Sequence, residues 1–200
     1  MKLVLASNNA HKLIELNSLL AELSVELVSQ GSLGIGEAEE PHLTFVENAL
    51  AKARHAAVHS GLPALADDSG LCVDALGGAP GVLSARYAGL FGQATGDAAN
   101  NCMLLEKMDG RTQRTARFVG VLVAVRTPDD PEPLVAMGRW SGELLDAPRG
   151  AHGFGYDPLL WIAEFGCTVA ELSPEIKNQH SHRARAAAQM RQLMREAWRA

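Results

Sequence analysis

Two adjacent carboxylates, Asp67 and Asp68, end the apolar run at residues 64–66 and stand directly before Ser69 and Gly70. Neighbouring side chains on a strand point to opposite faces, so one acid of such a pair can face a cleft while the other braces backbone or a nearby cation. A buried carboxylate without a partner is costly, so a strand that carries two acids needs positive charge close by. Hard carboxylate oxygens suit Mg²⁺, which takes one or two protein carboxylates and completes its shell with water and substrate phosphates. A solvated turn capped by an Asp fits the same residues, and the Ser-Gly pair reads as that turn.

Three further strings carry chemistry-bearing residues. In SNNAHK, Ser7, Asn8, Asn9, Ala10, His11 and Lys12 lie between an apolar run and an amphipathic repeat. Backbone N–H groups at a helix start attract anions and Lys12 adds a full charge, so a phosphate could be held here. The glycines of a P-loop are absent, and an Asn-capped helix with a surface lysine fits equally. In HGFGYDP, the glycine-flanked Phe154 and Tyr156 bracket Gly155 and precede Asp157. Exposed rings on a glycine loop can stack on a base while the acid accepts hydrogen bonds from it; rings packing a turn onto the core give the same string. SPEIKNQHSHRARA gathers Lys177, His180, Ser181, His182 and Arg183 around a helix start, where the dipole also favours negative charge. His180 and His182 lack the further ligands of a zinc site. Arg185, Arg191, Arg195 and Arg199 read as a solvated helix face. Arg86 and Tyr87 could reach a phosphate or a partner subunit, or be structural.

The elements that must position these residues are legible from periodicity. Residues 2–6 are strand-like, Leu13, Leu16, Leu19, Leu20 and Leu23 recur at helical spacing, and residues 25–28 read as a second strand, giving a βαβ-like opening. A Gly- and Glu-rich loop follows. Thr44 and Glu47 then form a capping box for FVENALAKARHAAVHS, and GLP ends that helix before the strand that reaches the two aspartates. TGDAANNCMLLEKM reads as another helix. TARFVGVLVAVR and LVAMGRWSGELL read as strands of an antiparallel hairpin across TPDDPEP, and a helix begins at Pro174 before the long terminal helix, which Ser181 can cap.

With 200 residues, 47% of them hydrophobic, the chain can bury a core as one domain or one domain with two lobes. A net charge of −5 does not favour a nucleic-acid partner, so any anion site must be local. Cys72, Cys102 and Cys167 are odd in number and widely spaced, and read as reduced, mostly buried thiols. No signal segment or membrane span is visible in the sequence, and the expected location is cytoplasmic, with no membrane partner.

In their order, LASNNAHKLIEL, TFVENALAKA, ALADDSGLCVDALGGAPGVLSARYAG, GFGYDP and SHRARA resemble the inosine triphosphate pyrophosphatase family over nearly the whole chain. The resemblance implies an α/β fold with a mixed central sheet, flanking helices and two lobes around an active-site cleft, as one domain over residues 1–200. It implies hydrolysis of dITP, ITP and XTP to the monophosphate and pyrophosphate, with Mg²⁺, by a homodimer. Matched string by string, SNNAHK would hold the triphosphate with Lys12 as main cation. Asp68 would be general base and metal ligand, Ser69 would lie beside the substrate, and Asp67 would support. Glu40, with Glu39 as its neighbour, would complete the metal site. Phe154, Gly155, Tyr156 and Asp157, then Lys177, His182 and Arg183, would enclose the nucleoside. Donors near His182 and Arg183 would favour an acceptor oxygen at C6 of the purine. One departure is that Ser7 and Asn8 stand where the family's first motif reads Thr-Gly, which keeps the hydroxyl and loses the glycine. A Maf-type pyrophosphatase of other base preference is the nearest alternative, and the GFGYD and SHR strings count against it. A nucleotide sensor without turnover is a second, and the presence of Asp68 and Lys12 counts against that.

Overall fold

The computed structural model describes residues 1–198; of the arginines named above, Arg199 lies outside them. The chain opens with β1 (Lys2–Leu5), α1 (Ala10–Leu19) and β2 (Glu26–Ser29), followed by α2 (Phe45–Ser60) and β3 (Ala64–Val73). Then come α3 (Asp97–Lys107), the long strands β4 (Thr115–Val125) and β5 (Leu134–Leu144), the short β6 (Leu160–Ile162) and β7 (Cys167–Thr168), α4 (Pro174–His180) and α5 (His182–Leu193). Seven strands hydrogen-bond in the order β2-β1-β3-β4-β5-β6-β7. β1 runs parallel to both β2 and β3, whereas β6 is antiparallel to β5 and β7, so the sheet is mixed. The link from β4 to β5 is too short for a parallel crossover, which makes that pair antiparallel.

Two compact units share this sequence. One contains residues 1–68, 120–138 and the segment from His182 onward; the other contains residues 69–119 and 139–181. Of the four boundaries between them, three fall inside β3, β4 and β5, so each of these strands contributes to both units, and the fourth falls between α4 and α5.

In the first unit, strand alternation sorts the core. Leu3, Leu5, Leu65, Leu122 and Ala124 point to one face and pack with Leu16 and Leu20 of α1 and Ala184, Ala187 and Met190 of α5. Val4, Ala64, Ala66, Val121, Val123 and Val125 point to the other and pack with Ala49, Ala53, Ala56 and Ala57 of α2. The alanine stripe of α2 lets that helix lie close against the strands. Its ends follow from local chemistry: the Thr44 hydroxyl accepts from the Glu47 N–H, and Gly61 closes the helix in the left-handed region. The C-terminal end of α1 has no basic residue of its own, and Arg191 of α5 donates to the Leu19 carbonyl there. Arg195 pairs with Glu22. Of the arginines read as a solvated face, Arg191 is therefore tied to the end of α1 and Arg195 to the segment just after it.

The second unit has its own core of Leu71, Val73, Leu104, Phe118, Trp140, Leu144, Tyr156 and Leu159. Its three cysteines are free, Cys102 exposed and Cys72 and Cys167 half-buried, so the expectation of mostly buried thiols is corrected. Ser69 and Gly70 belong to β3, which runs on to Val73, so the expected turn after the aspartates is corrected. The glycine has another cause: a Cβ at Gly70 would lie 2.3 Å from the Gly81 carbonyl oxygen and 2.5 Å from the Ser84 hydroxyl, so the strand needs a glycine where this loop crosses it.

Candidate active site

β3 carries the first unit's polar centre, and its alternation decides where each acid goes. Asp67 has the parity of Leu65 and meets α1 and α5; Asp68 has the parity of Ala66 and meets α2. Both are buried. Lys12 reaches Asp67 with its ammonium 3.1 Å from Oδ1 and 3.2 Å from the backbone carbonyl. Arg183, 1% exposed, donates its Nε to Asp67 Oδ2 and its Nη1 to Glu15 Oε2 at 2.5 Å. On the opposite face, the Lys52 ammonium lies 2.7 Å from Asp68 Oδ1 and 2.8 Å from Glu40 Oε1. The cations facing the paired acids in this structure are thus Lys12 and Arg183 for Asp67, and Lys52 for Asp68.

Burial and charge set the proton affinities. Burial pushes the Lys12 ammonium below its ordinary value, outweighing the attraction of Asp67. Burial also disfavours the Lys52 ammonium, but Asp68 and Glu40 together more than offset it and hold its pKa up. Arg183 is likewise desolvated, yet Asp67 and Glu15 keep it firmly charged. Asp68 is raised above the usual carboxylate range, because desolvation exceeds the pull of Lys52. Its second oxygen, Oδ2, is buried without a hydrogen-bond partner. A carboxylate with one oxygen pinned, one oxygen unpartnered and a raised pKa has the properties of a general base.

The expected phosphate string lies at the start of α1. Asn9 caps the helix, its side-chain oxygen accepting from the N–H groups of His11 and Lys12, and Ser7 accepts from the Asn9 N–H. The Asn-capped helix is therefore present, and its lysine turns to Asp67. Asn8, Asn9, Ala10 and His11 are exposed and Ser7 partly so. Asn8 replaces a glycine of the family motif and needs one nearby: a Cβ on Gly31 would come within 2.6 Å of Asn8 Oδ1.

Glu40 and Asp68 meet at one ammonium, while Glu39 is exposed. The loop that carries Glu40 is fastened by α2. Asn48 accepts from the His42 N–H at 3.0 Å and donates to its carbonyl at 3.2 Å, and His55 sits 3.1 Å from the Gly36 carbonyl. Asn48, Lys52 and Glu15 carry no role in the motifs that mark the other residues. For the first two a signal existed: they interrupt the buried stripe of Ala49, Ala53, Ala56 and Ala57 with an amide and a charge.

The second unit holds its own network at the glycine loop. Asp157 Oδ2 accepts from the Phe154 N–H at 3.0 Å and from the Lys177 ammonium at 2.8 Å, and that ammonium lies 4.6 Å from the centre of the Phe154 ring. Phe154 and Ser69 are half-buried. Tyr156 is not an exposed stacking ring: it is 4% exposed, donates its hydroxyl to the Ser84 carbonyl at 2.9 Å, and has its pKa pushed up by that burial. Gly155 is held by Asp97 and Asn101 of α3, two residues that the motifs did not mark. His182 opens α5 in the first unit and is buried; a Cβ at Gly120 would lie 2.8 Å from its Cδ2, and one at Gly138 only 2.0 Å from its carbonyl oxygen.

The class defined by this fold and site is a mixed α/β protein whose paired-acid strand is clamped by lysines and an arginine from three helices. A sequence model of the Ham1 family matches residues 3–193, and the chain belongs to that family. It is 66% identical to a dITP/XTP pyrophosphatase of Leptothrix cholodnii, over 99% of each chain. A dITP/XTP pyrophosphatase of Paracidovorax citrulli is 64% identical, covering 99% of this chain and all (100%) of that one. Among solved structures, a HAM1 protein from Coxiella burnetii superposes with a TM-score of 0.90 at 44% identity, over 98% of this chain and 100% of that one. The Staphylococcus aureus Ham1 protein does so at 0.86 and 36% identity, over 98% and 99%.

Proposed function

We infer that this chain is a nucleoside triphosphate pyrophosphohydrolase that converts dITP, ITP and XTP to the monophosphate and pyrophosphate, clearing deaminated purines from the nucleotide pool. The observation that carries the reading is Asp68, with Oδ1 fixed by Lys52 and Oδ2 buried and unpartnered, in a chain whose relatives at 66% and 64% identity are dITP/XTP pyrophosphatases.

Asp68 accepts the proton of the water that attacks the α-phosphorus, and pyrophosphate leaves. Lys52 fixes the orientation of that carboxylate, and Lys12, Arg183 and Glu15 fix Asp67 beside it in sequence. Asp68 and Glu40 are the residues that would hold Mg²⁺. The fit is reasonable: both are hard oxygen donors, one oxygen of Asp68 lacks a partner, and no cluster of three or more metal-ligating side chains occurs among the described residues, so substrate phosphates and water would supply the rest. When bound, the ion offsets charge on the phosphates. Ser7, Asn8, Asn9, Ala10, His11 and Lys12 are assigned to the phosphates, with Ser69 beside the substrate. Phe154, Gly155, Tyr156, Asp157, Lys177, His182 and Arg183 are assigned to the nucleoside, Tyr156 as the buried anchor of its loop. We assign the active form to a homodimer in the cytoplasm, as the family resemblance implies; sedimentation velocity checks the dimer.

The test is pyrophosphate release from ITP, XTP, GTP, ATP and dTTP, with Mg²⁺ and with EDTA. Fast, Mg²⁺-dependent release confined to ITP and XTP is expected. Equal turnover of all five would overturn the base preference, and no release from any would overturn the activity.

A further inference from the structure

Gly155, at the centre of the glycine loop and outside the strands, has a left-handed backbone with φ of 62°. Both its peptide groups are taken by one helix. Its N–H donates to Asp97 Oδ2 at 2.6 Å, and its carbonyl accepts from Asn101 Nδ2 at 3.0 Å. Asp97 and Asn101 stand four residues apart on α3, so they share one face of that helix and address the two sides of a single residue. Two neighbouring donors are spent within the loop: the Phe154 N–H goes to Asp157, and the Asp157 N–H to the Phe154 carbonyl. Gly155 therefore holds its place through α3, and the half-buried Phe154 ring next to it inherits that placement.

Asn101 keeps this role at a cost. It is 9% exposed, and its Oδ1 is buried without a partner. Leaving a buried amide oxygen unpaired is unfavourable, and an apolar residue on this helix face would avoid it. What Asn supplies and an apolar side chain lacks is the Nδ2 donor to Gly155.

We propose that Asp97 and Asn101 are positioning residues for base selectivity: by gripping both peptide groups of Gly155 they pre-set the ring of Phe154 for the purine. The proposal rests on the assignment of the glycine loop to the nucleoside. It concerns orientation rather than contact, because neither residue is offered as touching the substrate. Misplacing a positioned group by an ångström costs up to about 100-fold in rate.

The experiment uses the full chain and the variants Asp97→Ala, Asp97→Asn, Asn101→Ala, Asn101→Asp and Phe154→Ala. It reads amide hydrogen exchange at Gly155, the thermal midpoint, and kcat/KM for ITP, XTP and ATP. Asp97→Ala and Asn101→Ala should speed exchange at Gly155 and lower the ITP-to-ATP and XTP-to-ATP ratios of kcat/KM about 10- to 100-fold, chiefly through KM. Asn101→Asp, which sets an acceptor against the Gly155 carbonyl, should do at least as much. Asp97→Asn keeps an acceptor without the charge and should restore the ratios, which a role in helix-dipole stabilisation alone would not. Unchanged exchange at Gly155 in the alanine variants overturns the grip. Faster exchange with unchanged ratios also overturns the proposal, and Phe154→Ala then separates two causes. If it collapses the ratios, the loop does read the base and only the positioning role fails. If it too leaves them unchanged, the assignment of this loop to the nucleoside fails.

Discussion

At the scale of single residues, Asp68 and Arg183 show how burial turns ordinary side chains into specialised ones. Asp68 is desolvated and titrates above the ordinary aspartate value of 3.8. In the role assigned to it Asp68 works as the carboxylate, so the acid limb of kcat/KM against pH should lie above that value; a limb at or below it would mean another base. The same shift acts oppositely on folding: a group whose pKa is raised in the folded state favours folding below its unfolded pKa, and that contribution is lost as pH rises through the folded value. Asp68→Asn should lower kcat/KM about 10²–10⁴-fold with folding intact, as seen by circular dichroism and steady-state rates. Arg183→Ala leaves Asp67 and Glu15 short of a buried partner and should cost about 3–5 kcal/mol of stability in urea denaturation, a loss under 1 kcal/mol arguing that the acids re-pair. The paired acids and their divergent directions were legible in the sequence. Their partners were not, since Lys12 and Arg183 come to Asp67 from 55 and 116 residues away, and only the folded sheet brings α1 and α5 to one face.

At the scale of elements, capping and periodicity carried well and close approach did not. α2 starts and stops where Thr44, Glu47 and Gly61 require, and the βαβ opening forms as its leucine spacing dictates. The short β6 and β7 hold too few residues to show a period, and they arise from pairing, β6 with β5 and β7 with β6, rather than from local preference. Ser69-Gly70 has turn composition but lies within β3, because what selects glycine there is a crossing loop. The same logic governs the seat of α5. With the His182 carbonyl 2.0 Å and the Ala186 N–H nitrogen 2.8 Å from a hypothetical Cβ on Gly138, Gly138→Ala must displace the start of that helix and with it Arg183. The variant should lose stability by about 1–3 kcal/mol, the range for overpacking, and lose turnover as well. A fully active Gly138→Ala enzyme with unchanged thermal midpoint would show that α5 can shift without consequence.

At the scale of the whole molecule, the question is whether the fold depends on the metal assigned to its site. Domains stapled by a structural ion unfold when it is removed, because binding energy is part of their folding energy. Here the first unit has two hydrophobic clusters independent of the polar centre, on the two faces of its strands. Its acids are also matched internally: Lys52 sits between Glu40 and Asp68, and Lys12 and Arg183 serve Asp67. Positive charge from the chain therefore already does what an ion would have to do for folding, namely keep buried carboxylates from facing one another unscreened. EDTA should then abolish pyrophosphate release while moving the thermal midpoint by no more than about 2 °C, equivalent to under 1 kcal/mol for a chain of this size. Lys52→Met separates the two roles further, since it removes the internal cation and leaves Glu40 and Asp68 facing each other. That variant should be destabilised, and added Mg²⁺ should recover part of the lost midpoint where it does nothing for the parent chain. A drop of many degrees on adding EDTA to the parent protein would show instead that the ion is structural, and would move Asp68 from the chemistry to the scaffold.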